Sequence, residues 1–127
     1  FVSNKMIKML IKAGKQIMRS KILILGVTFK ENCPDIRNSK IADVYNELKE
    51  FGSNVDIYDY EADPKEVNQE YGINLIDEIK EKYDGILLAV SHTKFSTINI
   101  ESLKNDSTSV VYDLKGFLPR NQVDSRL

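Results

Sequence analysis

Apolar residues recur along this chain with two different periods. Over residues 1–19, Met6, Ile7, Leu10, Ile11, Ile17 and Met18 fall at three- and four-residue steps, Gly14 continues the stripe, and Lys5, Lys8, Lys12 and Lys15 lie between them. That spacing predicts an amphipathic helix with an apolar stripe and a basic face. A solvated lysine face on a packed helix is the favoured reading. A membrane-surface helix would want aromatic residues in the stripe, where Phe1 stands alone. A third reading gives the stripe a partner in a part of the protein outside this chain. From Lys21 the period changes. Ile22–Leu25 is an unbroken apolar run closed by Gly26, as in a strand buried on both faces. A helix is predicted over Ser39–Phe51, with Ile41, Val44, Tyr45, Leu48 and Phe51 on one face, Asn38 or Ser39 as its cap and Gly52 at its end. Val55–Asp59 alternates and reads as a second strand nearer an edge.

Asp63-Pro64-Lys65-Glu66 starts another helix, with Asp63 as cap, Pro64 at the first helical position and Gly72 as the stop. Ile73–Leu75 predicts a weak third strand and Asp77–Tyr83 a short helix. Ile86–Val90 predicts a strong fourth strand. A short helical segment is expected to include Ile100 and Leu103. Val110–Tyr112 is the fifth strand, ending at Asp113, and the tail from Pro119 is polar without a clear period. The alternation predicts an α/β fold: a Rossmann-like, doubly wound parallel sheet of about five strands, covered on both faces and preceded by the N-terminal helix. In such sheets ligands bind beyond the carboxyl ends of the strands. Candidate site residues therefore lie in 27–37, 59–61, 91–94 and 114–120.

Composition narrows the function. The chain has 127 residues, 42% hydrophobic and 29% charged, as expected of one globular domain. With 18 Lys+Arg against 19 Asp+Glu the net charge is −1, which lacks the basic excess of a nucleic-acid binder. No apolar run is long enough to span a bilayer. The single Cys forms no internal disulfide, and with the single His it makes a zinc site improbable. The chain begins at Phe1 and is expected to be a piece of a longer protein.

The first loop, Gly26 to Ser39, has a single Gly and is no G-x-G-x-x-G turn. It carries Lys30, a plausible anion contact near a helix start, and Arg37, which can pair with Asp35 and stiffen the loop. Cys33 has no sequence-adjacent His to activate it as a nucleophile. His92 stands at the functional edge as a possible general base, with a hydrogen-bonding surface role the more ordinary reading. Asp59 ends the second strand where dinucleotide folds place a ribose-binding carboxylate, a weak signal without the glycines. Ser91 and Lys115 resemble half the site of a phospho-receiver domain. The acidic pair and the phospho-acceptor that family needs are missing, because Gly26-Val27 and Ile76-Asp77 stand in their places.

The stretch Lys21 to Lys40, with its core G-x-x-F-K-x-x-x-x-D-x-R-x-S, closely resembles the C-terminal domain of the UDP-glucose/GDP-mannose dehydrogenase family. Its Thr-Phe-Lys-Glu-Asn-Cys-Pro-Asp form is similar to the branch acting on UDP-N-acetylhexosamines, and Val111 to Gly116 resembles the family's last strand and D-x-K-G turn. The resemblance covers essentially the whole chain. It implies that residues 1–19 end the helix linking a central domain, and that 20–127 form the nucleotide-sugar-binding domain. It also implies an NAD-dependent 6-dehydrogenase that oxidises a UDP-N-acetylhexosamine, or UDP-glucose, twice to its uronic acid for surface polysaccharide. By motif position Phe29, Lys30 and Lys115 would meet the UDP-sugar, and Arg37 the cofactor. NAD would be held mainly by an N-terminal domain. The catalytic Cys would lie outside this chain, so Cys33 is not assigned that role, the fragment alone would be inactive, and no metal is implied. The expected setting is a cytoplasmic homodimer with no nucleic-acid or membrane partner. The alternative is a non-enzymatic nucleotide-binding or receiver-like module. Which UDP-sugar is used depends on residues outside the chain.

Overall fold

The computed structural model describes residues 1–126. Its elements are α1 (Val2–Lys12), β1 (Lys21–Leu25), α2 (Ile41–Glu50), β2 (Asn54–Tyr58), α3 (Pro64–Tyr71), β3 (Gly85–Leu88), α4 (Ile100–Leu103), β4 (Val110–Asp113) and β5 (Ser125–Arg126). Single 3-10 turns occupy Thr93–Thr97 and Arg120–Gln122. The five strands form one sheet in the order β2-β1-β3-β4-β5, with every pairing parallel. The doubly wound α/β fold read from the periodicity is therefore the fold observed. In this strand order the crossover direction reverses between β1 and β3, and ligand sites form at that reversal.

The sheet separates two cores. Ile22, Ile24, Ile57, Leu87 and Tyr112 face Met6 and Leu10 of α1, Leu48 of α2 and Val67 of α3. Leu23, Leu25, Ile86, Leu88 and Val111 face the other way, onto Tyr83, Phe95, Ile100 and Leu118. The second face is thus covered by short turns and loop side chains rather than long helices. β1, β3 and β4 are buried almost throughout, while β2 alternates and lies at the edge, as its pattern predicted.

Several expectations are corrected. The N-terminal helix stops at Lys12, not at residue 19. Gly14, at φ +80°, donates to Ile11 O while Lys15 donates to Leu10 O, a left-handed turn that satisfies the last carbonyls. The stripe consequently splits: Met6, Ile7 and Leu10 are buried, but Ile11 is 58% and Met18 67% exposed. Neither Asn38 nor Ser39 caps α2; Lys40 holds that position, with no side-chain bond to the helix. Gly52 does follow the helix in left-handed backbone, and Asp63 does cap α3 by accepting from Lys65 N at 2.9 Å. Ile73–Leu75 is no strand, although Ile73 is buried. The segment runs past the outer edge of the sheet, and Ile76 N donates to Ile57 O of β2 at 3.0 Å. Asp77–Tyr83 forms no helix; Tyr83 instead bridges to Lys104. The fifth strand comes from the tail, where Tyr112 and Asp113 pair with Ser125 and Arg126.

Candidate functional site

The carboxyl ends of β1, β3 and β4 open on a cleft of about 270 Å³. Thr28 and Phe29 form one wall, Asn38, Ser39 and Lys40 at the start of α2 a second, and Leu114 and Lys115 after β4 a third. Ala89, Val90 and Val44 make its apolar floor. Two of the lining residues are lysines and none is acidic. The N-terminus of α2, which no side chain caps, adds the positive end of a helix dipole. The cleft therefore suits an anion attached to a flat or apolar body.

Two backbone devices build this geometry. Asp113 is fully buried; its Oδ1 accepts from Lys115 N at 3.0 Å and its Oδ2 from Leu118 N at 2.8 Å. This turns the chain after β4 so that Lys115 sits on the cleft wall. On the other side Tyr71 of α3 accepts from Ser39 N at 3.0 Å and donates to Ile36 O, tying the end of the first loop to α3. The loop between is closed by Phe29 N donating to Asp35 O at 2.7 Å.

Beneath the loop lies a buried polar hub. Asp59 Oδ2 accepts from Val27 N at 2.7 Å and Thr28 N at 3.4 Å, and Oδ1 from Glu61 N at 2.7 Å and Ala62 N at 3.0 Å. His92 Nε2 lies 3.1 Å from both Asp59 Oδ2 and Thr28 Oγ1, and His92 Nδ1 accepts from Asn32 N at 2.9 Å. Burial alone would push the Asp59 carboxyl up. The bond from His92 and the backbone amides outweigh it and hold the carboxyl below its ordinary value. Asp59 is therefore a ligand for backbone amides, not a ribose acceptor, and it is no phospho-acceptor open to solvent. His92 is fully buried with both ring nitrogens engaged, so it is neither a general base nor a surface residue.

The sequence-predicted site residues do not all meet. Phe29, 60% exposed, and Lys115 share the cleft. Arg37 lies on an adjoining depression of about 300 Å³ with Phe29, Asp35 and Asn38. Its guanidinium pairs with Asp35 through Nε at 3.0 Å and the terminal nitrogen at 2.9 Å, and that pair holds the Asp35 carboxyl down to about 2. Lys30 is exposed on the same loop but lines neither depression. Cys33 is half-buried and a free thiol. The sequence weighs Asp59 and His92 separately, as a ribose carboxylate and a possible base, and gives no sign of Lys40, of Thr28 or of the hub that joins Thr28, Asp59 and His92. Lys40 reads as an ordinary helix-start lysine. The hub joins residues 31 to 64 positions apart, a proximity that no local pattern records.

The donor set does not fit a whole dinucleotide. The first loop lacks the glycines that let a pyrophosphate approach the backbone, and the carboxylate at the end of β2 is spent on amides. Among the described residues there is no group of three or more potential metal ligands, and no helix is long and apolar enough to cross a membrane.

Comparison with known proteins agrees with this geometry. The sequence model of the UDP-glucose/GDP-mannose dehydrogenase family, UDP binding domain, matches residues 23–120. The UDP-N-acetyl-D-glucosamine 6-dehydrogenase of Salmonella typhi is 46% identical over 130 residues, covering 100% of this chain and 31% of the relative. The enzyme of the same name from Pseudomonas aeruginosa is 35% identical with the same coverage. Among solved structures, an NDP-N-acetyl-D-galactosaminuronic acid dehydrogenase from Methanosarcina mazei superposes with a TM-score of 0.79 at 18% identity, over 96% of this chain and 27% of that one. The UDP-D-ManNAc dehydrogenase of Pyrococcus horikoshii does so with a TM-score of 0.76 at 19% identity, over 98% of this chain and 29% of that one. The chain thus spans less than a third of the length of these relatives.

Proposed function

Because the chain belongs to the UDP-glucose/GDP-mannose dehydrogenase family, as its UDP-binding domain, we propose that it serves an NAD-dependent 6-dehydrogenase acting on a UDP-N-acetylhexosamine. The observation that carries this is the cleft beyond β1, β3 and β4, where two lysines and an uncapped helix start converge on an apolar floor and no acid opposes them. A nucleoside diphosphate has both parts that such a cleft holds: two charged phosphates and a flat base. In this reading Phe29 packs against the nucleotide sugar, and Lys115 neutralises phosphate charge from the cleft wall. Lys30 reaches in from the rim when the substrate is enclosed. Arg37, on the neighbouring depression, faces the cofactor side. Its pairing with Asp35 sets the direction of the guanidinium before any ligand arrives.

The rest of the enzyme lies outside this chain. NAD supplies the hydride acceptor and belongs mainly to an N-terminal domain, since the donor set here does not fit a dinucleotide. Residues 1–19 would end the helix from a central domain and 20–127 form the nucleotide-sugar domain. The product would be a uronic acid feeding surface polysaccharide in a cytoplasmic, dimeric enzyme. The receiver-like alternative is not favoured, because Asp59 is consumed by four backbone amides and His92. The test is NADH formation by the full-length enzyme to which this domain is assigned, with UDP-N-acetylglucosamine, UDP-N-acetylmannosamine and UDP-glucose. Turnover with a UDP-N-acetylhexosamine is expected. Absence of NADH with all of them would overturn the assignment.

A further inference from the structure

We propose that His92 is the positioning residue of the loop bearing Phe29 and Lys30, and that it holds this loop through a ring whose proton sits on Nε2. The role for ligand binding rests on the nucleotide-sugar reading above; the conformational role does not. Through Asn32, the loop over residues 28–35 makes two connections to the segment after β3. One is a reciprocal pair, Asn32 Nδ2 to Thr93 Oγ1 and Thr93 N to Asn32 Oδ1, both 2.9 Å and exposed. The other is Asn32 N to His92 Nδ1, also 2.9 Å, made to a ring that is fully buried. Asn32 sits at φ +55°, in the left-handed region that Asn enters more readily than most residues.

An imidazole nitrogen that accepts an N–H carries no proton of its own, so the Asn32 contact places the proton on Nε2. There it is directed between Asp59 Oδ2 and Thr28 Oγ1, while Thr28 Oγ1 donates to Lys30 O at 2.9 Å. One ring thus touches the backbone of Asn32 directly and that of Lys30 through Thr28. His92 does not line the cleft, so it acts through the loop and not on a ligand.

The groups facing the ring fix which nitrogen carries the proton. From the end of β2 comes Asp59, an ionisable group in direct contact. From the first loop come the neutral Thr28 side chain and the Asn32 amide, and from its own segment the Phe95 ring at 5.3 Å. The nearby Lys94 directs its ammonium to the Tyr60 ring, 5.8 Å away, and Lys30 is exposed. A second proton on His92 would be welcomed by the Asp59 carboxylate but would set an N–H against the N–H of Asn32.

The test uses the full-length enzyme to which this domain is assigned, with UDP as the probe, measuring affinity for wild type, His92→Asn and His92→Gln. Asn keeps an acceptor near the place of Nδ1, whereas Gln keeps a donor near Nε2 and loses the acceptor. At neutral pH His92→Gln should bind UDP about tenfold more weakly and His92→Asn within about threefold of wild type. Exchange of the Asn32 amide, read in the same proteins, should be fast in His92→Gln and slow in the other two. Equal UDP affinity in all three, or equal losses in both variants with Asn32 still protected, overturns the proposal. So does a wild-type nitrogen spectrum that places the proton on Nδ1 at neutral pH, a readout that needs no variant to fold. If wild type binds no UDP, the nucleotide reading fails, and Asn32 exchange alone decides the inference: protection unchanged in His92→Gln overturns it.

Discussion

At the scale of single residues, the charges proposed to meet a diphosphate are separable by experiment from those that merely solvate the surface. Lys30 stands on the first loop and Lys12 at the end of α1, and both are exposed. In the full-length enzyme Lys30→Ala should remove a charge-assisted contact worth roughly 1.5–3 kcal/mol, about one to two decades in UDP-sugar affinity. Lys12→Ala should leave that affinity unchanged, and neither should move the thermal midpoint. Equal effects in the two would mean the Phe29-Lys30 pair serves only the loop. Asp59 carries the opposite kind of prediction. Its carboxyl is held below its ordinary value, so it stabilises the fold above the unfolded-state value of about 3.9 and loses that share as pH falls through the lower, folded value. Asp59→Asn should cost about 1.5–3 kcal/mol at neutral pH, because one amide NH₂ then faces backbone donors. It should also flatten the acid limb of a urea-midpoint profile. An unchanged acid limb would show that some other carboxyl governs it.

Among the elements, α1 is the one whose allegiance matters most. Its apolar stripe permitted a partner elsewhere, yet Met6 and Leu10 are fully buried against this domain's own sheet and Ser3 donates to Glu47 of α2 at 3.1 Å. Leu10→Ala should cost about 2–5 kcal/mol, whereas Ile11→Ala, one position on, should change stability by no more than about 0.5 kcal/mol. Denaturant midpoints of the two variants measure this. Similar losses in both would mean that Ile11, too, is covered in solution. The turn after β1 is as exacting. Gly26 is at φ +103°, and a Cβ there would lie 2.6 Å from Val90 Cβ. Gly26→Ala should therefore destabilise the fold and displace the cleft floor at Val90, which a loss of UDP affinity larger than that of Lys30→Ala would report.

For the whole molecule, a five-stranded sheet with a core on each face carries a cleft lined by two lysines and no acid. The 127-residue chain incubated with NAD and a UDP-sugar should yield no NADH, since its first loop carries a single glycine where a dinucleotide turn needs several and the chain spans less than a third of its relatives; sustained NADH would overturn that expectation. The α/β alternation, the burial of β1 and β3, the edge position of β2 and the capping of α3 were all legible along the chain. Each depends on neighbours within a turn or a strand, where period and capping chemistry act. The motif from Gly26 to Ser39 and the Asp113 to Gly116 turn likewise marked two walls of the cleft. Other features were decided only when distant segments met. Ile73–Leu75 has strand-like residues but is displaced beyond the β2 edge, and the polar tail becomes β5 because β4 offers it an open edge. The hub of Thr28, Asp59 and His92 draws on the ends of three strands that pack side by side, so its partners share no local pattern. Sequence determined which segments could be helix or strand, because those preferences are local. Tertiary structure decided which edges were free, which polar groups were buried together and which cations faced one cleft, because each depends on packing between residues far apart in the chain.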